Sequence, residues 1–415
     1  MERIIASYLV ETQLDGHIAA NILAGEQSSG TFVSVPGETD EIKARFAARI
    51  DSVKHIETVN EASLPGELSE KKIYHRLEIE VSWSIENFGH NVPVLISTLQ
   101  GNLYELRQFT GLKLMNLEVP DSFKDHFPGP RFGIKGSRDR TGVTARPLIG
   151  TIIKPSIGLT PEKTASLVDE LAQTGIDFIK DDELLSSSAN SPFDKRVEKV
   201  MEVINRNADN TGKKVMFAFN ISGEIDQMLR QYETIVSSGG TGAMISLNSV
   251  GWSGVKKICD QGELVIHGHR NGWGMLNRHP YLGIEFPAYQ KLWRLAGVDQ
   301  IHVNGIQNKF WESDDSVVKS IKACLTPMLG GYSILPVVSS GQWGGQAPET
   351  YRRTQTIDLL YMAGGGIMAH PGGPSSGVKA LKQAWEAAIA GKSVEEAANE
   401  HPEFALSVKK FSRNP

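Results

Sequence analysis

From Ala145 onward, short apolar runs alternate with amphipathic stretches in a regular order. The apolar runs lie at 148–154, 177–181, 214–220, 242–247, 263–270, 300–305, 334–339 and 357–363. Several are continuously apolar rather than alternating, the pattern of parallel strands covered on both faces by helices. Each is followed by a helical stretch: after Thr160-Pro161, after Pro192, and at 224–236, 253 onward, 287–296, 316–325, 349–354 and 375–390. Thr160 suits an N-cap and Pro161 the first helical position. Eight strand–helix units in series predict a (β/α)8 TIM barrel. A doubly wound open sheet is the alternative, but the first strand–helix loop lacks a dinucleotide fingerprint.

Residues 1–126 follow another pattern. Segments 3–10 and 72–85 read as strands, and 92–98 as a third, while 39–51 and 102–106 read as helices. The mixture predicts a small α+β (ferredoxin-like) N-terminal domain with an antiparallel sheet, ahead of a barrel domain over 127–415. Pro128 to Arg146, rich in Gly and Arg, reads as the linker.

Composition narrows the class. The 415 residues are 40% hydrophobic and 22% charged, which fits a folded globular chain. Two cysteines, Cys259 and Cys324, are too few for a disulfide scaffold, a thiolate zinc module or a four-cysteine cluster. A net charge of -5 predicts no nucleic-acid partner. The apolar stretch 4–10 is short and flanked by Glu2 and Glu11, so neither a signal peptide nor a membrane span is expected, and the expected location is cytoplasmic.

The candidate chemistry falls at the C-terminal ends of the expected barrel strands, where barrel active sites form. These ends carry Lys154; Lys180-Asp181-Asp182-Glu183; Asn220; His267-Gly268-His269-Arg270; His302; Ser339-Ser340-Gly341; and Gly364-Gly365-Gly366. Lys180 and Asp182 share a strand face, and Glu183 joins them if the strand ends there. Two carboxylates converging in a dry barrel mouth repel unless a cation lies between them, and oxygen ligands suit Mg2+. A lysine that has added CO2 becomes a carbamate, which is an anionic oxygen donor. His267-x-His269 also fits a zinc-dependent hydrolase, although in amidohydrolase barrels such a pair belongs to the first strand. The glycines after the last two strands fit a backbone phosphate site.

The segments Gly150-Thr-Ile-Ile-Lys154-Pro155, Asp177-Phe-Ile-Lys180-Asp-Asp-Glu183, Ile266-His-Gly-His-Arg270 and Ala363-Gly-Gly-Gly366 resemble the signatures of the ribulose-1,5-bisphosphate carboxylase/oxygenase (RuBisCO) superfamily. Gly25-Glu26-Gln-Ser-Ser-Gly30-Thr31, Thr98-Leu-Gln-Gly-Asn102 and the stretch from Phe127 to Leu148 are also similar, so the resemblance runs along nearly the whole chain. It implies that Lys180 is carbamylated and holds one Mg2+ with Asp182 and Glu183. It also implies that Lys154 transfers protons and that His269 is a polar or acid/base group beside the substrate. Arg270 and His302 would bind one phosphate end. Thr31, Gly341, Gly365 and Gly366 would surround the other, with Ser339 among the substrate-binding residues. Glu26 and Asn102 would serve the site of a partner subunit, which implies a homodimer or a multiple of dimers.

The departures are informative. Ser156 stands where carboxylases have a second lysine, Trp273 where they have a histidine, and Phe32 where they have a tryptophan. The loop from Val303 to Trp311 keeps Lys309 but not the lysine's carboxylase neighbours. The chain therefore resembles a RuBisCO-like protein (type IV), not a carboxylase that fixes CO2 on ribulose bisphosphate. In the carboxylases the lysine matching Lys309 holds the new carboxylate, so its retention favours a substrate that carries one. The expectation is a Mg2+-dependent lyase acting on a phosphorylated β-keto sugar acid of the 3-oxo-isoapionate 4-phosphate type, by decarboxylation or by transcarboxylation and hydrolysis. The alternatives are a methionine-salvage type enolase or isomerase without CO2 loss, and a non-catalytic ligand-binding relative.

Overall fold

The computed structural model describes residues 2–29, 35–66, 69–70 and 72–412. It divides into two compact units. One is Met1–Pro128 with Gly272–Leu295 and Met328–Gly331; the other is Gly129–Asn271, Ala296–Pro327 and Tyr332–Pro415.

The first unit is built on strands β1 (Arg3–Thr12), β2 (Arg49–Val59), β3 (Tyr74–Ser84) and β4 (Phe109–Glu118), with helices Gly16–Glu26 and Asp40–Phe46 between β1 and β2 and helix Val92–Leu99 between β3 and β4. The spatial order is β4-β1-β3-β2, antiparallel at each of these junctions, which is the ferredoxin-like βαββαβ arrangement. β1 alternates strictly between buried and half-buried positions over its first eight residues, as a strand covered on one face should.

Two expectations for this unit, and one for the segment that follows it, are corrected. Segment 92–98 is helical: Asn91 caps it by accepting from the Val94 N–H (3.1 Å), Pro93 occupies its first turn, and Val92, Leu95 and Leu99 share one buried face. The helix expected over 39–51 stops at Phe46, and the chain then enters β2, whose mostly exposed residues carry no alternation to read. The expected linker contains a helix, Gly133–Thr141. Helix Gly16–Glu26 and β4 were not expected.

The second unit is a closed parallel barrel of β5 (Leu148–Ile152), β6 (Phe178–Lys180), β7 (Met216–Asn220), β8 (Gly242–Ser246), β9 (Val265–His269), β11 (Gln300–His302), β12 (Leu335–Val338) and β13 (Leu360–Met362). The intervening β10 (Leu282–Ile284) pairs with β4 in the first unit instead. Each expected barrel run contains its strand. The first barrel helix, Pro161–Gln173, begins as its sequence dictates, with the Thr160 hydroxyl accepting from the Lys163 N–H (3.3 Å). Helix Phe193–Thr211 ends where Gly212 turns left-handed (φ +72°), a conformation that costs glycine nothing.

The barrel interior is filled, not open. Leu148, Phe178, Met216, Met244, Val265, Leu335, Val337, Leu360 and Met362 form one buried cluster, with Phe132, Ile134 and Val143 packed against it. Helix Gly133–Thr141 is fixed there by Asp299, whose carboxylate accepts from the N–H groups of Phe132 (2.7 Å), Gly133 (2.9 Å) and Ile266 (2.8 Å). Among the described residues no helix is long and apolar enough to cross a membrane.

Candidate active site

β6 ends at Lys180 and the chain turns at once, which puts Glu183 beside Lys180 and Asp182 against Lys154. Lys180 is fully buried. Its Nζ lies 2.9 Å from the Asp181 carbonyl, 3.2 Å from Met244 Sδ and 3.4 Å from Glu183 Oε2. Burial pushes the Lys180 ammonium below its ordinary pKa, against the opposing pull of Glu183 and Asp182. Asp182 meets a different cation: its carboxylate is 2.6 Å from Lys154 Nζ, which also donates to Ser156 Oγ (2.9 Å). Burial alone would raise the Asp182 pKa, but the Lys154 hydrogen bond, the Leu184 N–H and the two lysine charges hold it below the ordinary value. Ser156, at the position of the carboxylases' second lysine, thus contacts the first.

Asp181 points elsewhere. It accepts from buried Arg196 (3.2 and 3.3 Å) and from the Asn220 N–H (3.0 Å), while Arg196 also ties down the carbonyls of Ser186 and Ser191. This buried pair, absent from the sequence reading, braces the turn that carries Asp182 and Glu183.

Among the described residues no group of three or more His, Cys, Asp or Glu side chains is arranged to hold a metal ion. The donor set fits one only with Lys180 converted. As protonated amines, Lys154 and Lys180 balance Asp182 and Glu183. A carbamate at Lys180 would supply a third anionic oxygen ligand and leave the cluster with a net two negative charges, a match for a divalent cation. The lowered pKa of Lys180 raises the fraction of neutral amine, the form that reacts with CO2.

His269 ends β9 with Nε2 3.7 Å from Glu183 Oε2, and its buried Nδ1 has no hydrogen-bond partner among the described residues. Burial, then the Lys180 charge, lowers its pKa to about 4, so it is neutral at pH 7. His302 lies beside it, with ring centroids 4.7 Å apart. Both His302 nitrogens are engaged inside the barrel: Nε2 with His267 Nε2 (2.9 Å) and Nδ1 with Ser339 Oγ (2.9 Å).

Arg270 donates to Glu312 Oε2 (2.8 Å), and the fully buried Glu312 also receives Asn304 Nδ2 and Ser316 Oγ (2.8 Å). Asn304 in turn accepts from Ser340 Oγ (2.7 Å), and both Asn304 and Ser340 sit in the left-handed region (φ 62° and 75°). Strained non-glycine residues of this kind persist where the surroundings over-determine them. Lys309 is exposed. Its backbone N–H donates to the Ser340 carbonyl (3.2 Å), its stem approaches Gly341, and its ammonium lies over the Phe310 ring. Gly365 has open space around it, whereas a side chain on Gly366 would strike the Gln342 carbonyl.

The expected residues therefore fall into two joined sets within the barrel unit. Lys154, Lys180, Asp182, Glu183 and His269 make one. Arg270, His302, Ser339, Gly341 and Lys309 make the other, tied together by Glu312, Asn304 and Ser340, which the sequence reading did not select. In the first unit the Gln27 amide, next to Glu26, accepts from the Asn102 N–H (3.0 Å). Thr31 and Phe32 lie outside the described residues. Trp273 packs edge-on against Phe286, with ring centroids 5.6 Å apart.

Residues 2–123 match the N-terminal domain of the ribulose bisphosphate carboxylase large chain, and residues 133–411 its catalytic domain. A 3-oxo-isoapionate-4-phosphate transcarboxylase/hydrolase from Xanthobacter autotrophicus is 50% identical over 97% of both chains. A 3-oxo-isoapionate-4-phosphate decarboxylase from Rhizobium etli is 46% identical over 99% of both. The crystal structure of a rubisco-like protein from Burkholderia fungorum superposes with a TM-score of 0.92 at 41% identity, covering 99% of this chain and 100% of that one. With both domain models matched and these relatives aligned end to end, the chain belongs to the RuBisCO large-chain family.

Proposed function

We propose that this protein is a RuBisCO-like lyase that decarboxylates a phosphorylated 3-oxo sugar acid of the 3-oxo-isoapionate 4-phosphate class. The observation that carries the reading is Lys309, anchored through its backbone to Ser340 beside Gly341. It gives the rim a cation for a substrate carboxylate in addition to Lys154, which Asp182 holds. An enolase or isomerase has no carboxylate for Lys309 to meet. The names of the decarboxylase and transcarboxylase/hydrolase relatives support the same substrate class.

Lys180 as its carbamate, Asp182 and Glu183 would hold Mg2+, which when bound supplies Lewis acidity toward adjacent substrate oxygens. The chain's own groups do the rest. Lys309 Nζ holds the carboxylate that leaves as CO2. The bonding electron pair stays on the α-carbon and is delocalised into the neighbouring carbonyl. Lys154 Nζ then delivers the proton that the carbon needs. Asp182 and Ser156 aim that ammonium, since both accept hydrogen bonds from it. His269, neutral at pH 7, offers an uncharged ring nitrogen to a substrate hydroxyl. Arg270 contributes a cation for the phosphate, oriented by Glu312. Glu26 and Asn102 complete the site of a partner subunit, in a homodimer or a multiple of dimers, in the cytoplasm.

A second reading has an equal claim on the comparisons: the 50% identical relative is named a transcarboxylase/hydrolase. The test is to incubate the CO2- and Mg2+-treated enzyme with 3-oxo-isoapionate 4-phosphate and measure released CO2 and solvent deuterium in the product. One CO2 per turnover supports decarboxylation. Turnover with every carbon retained in acid products means transcarboxylation and hydrolysis. Deuterium exchange without carbon–carbon cleavage means an enolase or isomerase.

A further inference from the structure

A line of buried polar groups crosses the barrel interior behind the rim. Gln300, on β11, donates through Nε2 to Ser137 Oγ (3.0 Å), and the same nitrogen faces Met216 Sδ (3.6 Å). Its Oε1 lies 2.9 Å from His267 Nδ1. His267 Nε2 is 2.9 Å from His302 Nε2, and His302 Nδ1 is 2.9 Å from Ser339 Oγ. Ser137, His267 and Gln300 are 0% exposed, and His302 and Ser339 each 6%.

Each junction in such a line holds one proton, so the polarity of the first fixes all the others. The amide sets it. Gln300 Nε2 faces Met216 Sδ, which has no proton to give, and the Ser137 hydroxyl, which accepts from it; Oε1 is left to accept from His267. His267 must then carry its proton on Nδ1. Burial keeps both imidazoles neutral, well below their ordinary pKa. A neutral His267 protonated on Nδ1 has only a lone pair on Nε2, so His302 donates from Nε2. His302 Nδ1 is then a lone pair as well, and the Ser339 hydroxyl must donate to it. The neighbouring Ser340 hydroxyl is 3.4 Å away and spends its own proton on Asn304 Oδ1 (2.7 Å).

We infer that Gln300 is a positioning residue: acting through His267 and His302, it turns the Ser339 proton inward and leaves Ser339 Oγ as a hydrogen-bond acceptor for a hydroxyl group of the substrate. An acceptor of this kind cannot serve a phosphate dianion, whose oxygens also need donors. Ser339 therefore reads a sugar hydroxyl, and His302 orients Ser339 in place of contacting phosphate. The substrate class rests on the function proposed above; the proton polarity does not.

The experiment has two arms. First, 15N-histidine NMR of the wild-type enzyme at pH 7, with His267→Asn and His302→Asn for assignment, reads the tautomers without any substrate. The expected pattern is a protonated Nδ1 at His267 and a protonated Nε2 at His302. Gln300→Glu, which can only accept, keeps that pattern, and Gln300→Leu loses it. A protonated Nε2 at His267 in wild type overturns the proposal whether or not either variant folds. Second, Ser339→Ala is compared with wild type for KM toward 3-oxo-isoapionate 4-phosphate and for competitive inhibition by inorganic phosphate. KM should rise on the order of tenfold for one lost hydrogen bond, with phosphate inhibition changed less than about twofold. Equal weakening of both overturns the hydroxyl assignment. Wild-type enzyme inert toward this substrate refutes the proposed function, and the NMR arm still decides the polarity.

Discussion

Lys154 Nζ stands 2.6 Å from the carboxylate of Asp182, and Ser156 Oγ holds the same ammonium from the other side at 2.9 Å. The proposed proton donor and a candidate metal ligand are therefore one hydrogen-bonded unit. Replacing a carboxylase's second lysine by serine removes a positive charge from this point and supplies an acceptor. Ser156→Lys should place like charges together beside Lys154 and lower kcat for CO2 release at least tenfold. Ser156→Ala, which removes only a neutral hydrogen bond, should cost a few-fold at most. Steady-state kinetics of the two variants compares these outcomes.

Lys180 is buried, so its substitution must respect packing as well as charge. Lys180→Met keeps an unbranched stem of similar volume and removes the amine. It should fold, with a melting temperature near that of wild type, and lose CO2-dependent activation and Mg2+-dependent turnover by several orders of magnitude. Because neutral amine is the reactive form and burial depresses the Lys180 pKa, CO2 activation should already be substantial well below pH 10.5, the ordinary lysine value. Activation that rises only as pH approaches that value would contradict the burial argument.

Lys309 separates the competing reactions. If it holds the departing carboxylate, Lys309→Met loses a charge-assisted hydrogen bond, about 1.5–3 kcal/mol, and CO2 release should slow about ten- to a hundredfold. Deuterium exchange into the decarboxylated product needs Lys154 but no carboxylate, and should change far less. Equal losses in both would assign Lys309 to phosphate binding or loop closure.

A homodimer with shared sites makes a prediction that single-chain sites do not. Glu26→Ala subunits mixed with Lys154→Ala subunits should regain part of the activity that each homodimer lacks, since one site in the mixed dimer has both residues. Native mass spectrometry establishes subunit exchange. Exchange without rescue would place Glu26 and Lys154 in the same chain's site.

At the start of β6, fully buried Asp177 is bound by Arg146 (2.5 Å), Lys213 (2.6 Å) and the Ile149 N–H (2.8 Å). Burial would raise its pKa, but the Arg146 hydrogen bond and the charges of Arg146 and Lys213 hold it below the ordinary 3.8. A depressed carboxylate stabilises the fold above its unfolded pKa, and that contribution is lost as pH falls through the folded value. Asp177→Asn should cost about 1.5–3 kcal/mol at neutral pH, because the half-buried Arg146 and Lys213 lose their counter-charge. Urea denaturation should show the gap between variant and wild type closing below about pH 4.

The barrel was legible in the sequence because its signal is local and repeated. Continuous apolar runs, a cap such as Thr160 and the placement of Pro161 each declare an element within a few residues, and the order of eight units admits few closures. The position of the acidic element was legible for the same reason: Lys180, Asp182 and Glu183 are neighbours in the chain, and β6 ends at Lys180 as the apolar run predicts. Weak or ambiguous local patterns misled. The apolar stretch from Val92 to Leu99 fits either period until Asn91 and Pro93 cap it, and exposed β2 has no alternation to read. What only the tertiary structure decided is the partner of each polar side chain. The contacts of Gln300 with His267, Arg270 with Glu312, and Asn304 with Ser340 span 33, 42 and 36 residues. Closing the barrel brings these strand ends and loops together, and burial then puts the polar groups there under a requirement to find hydrogen bonds, which most of them meet. That requirement sets which way Ser339 points its proton, and no local pattern in the chain encodes it.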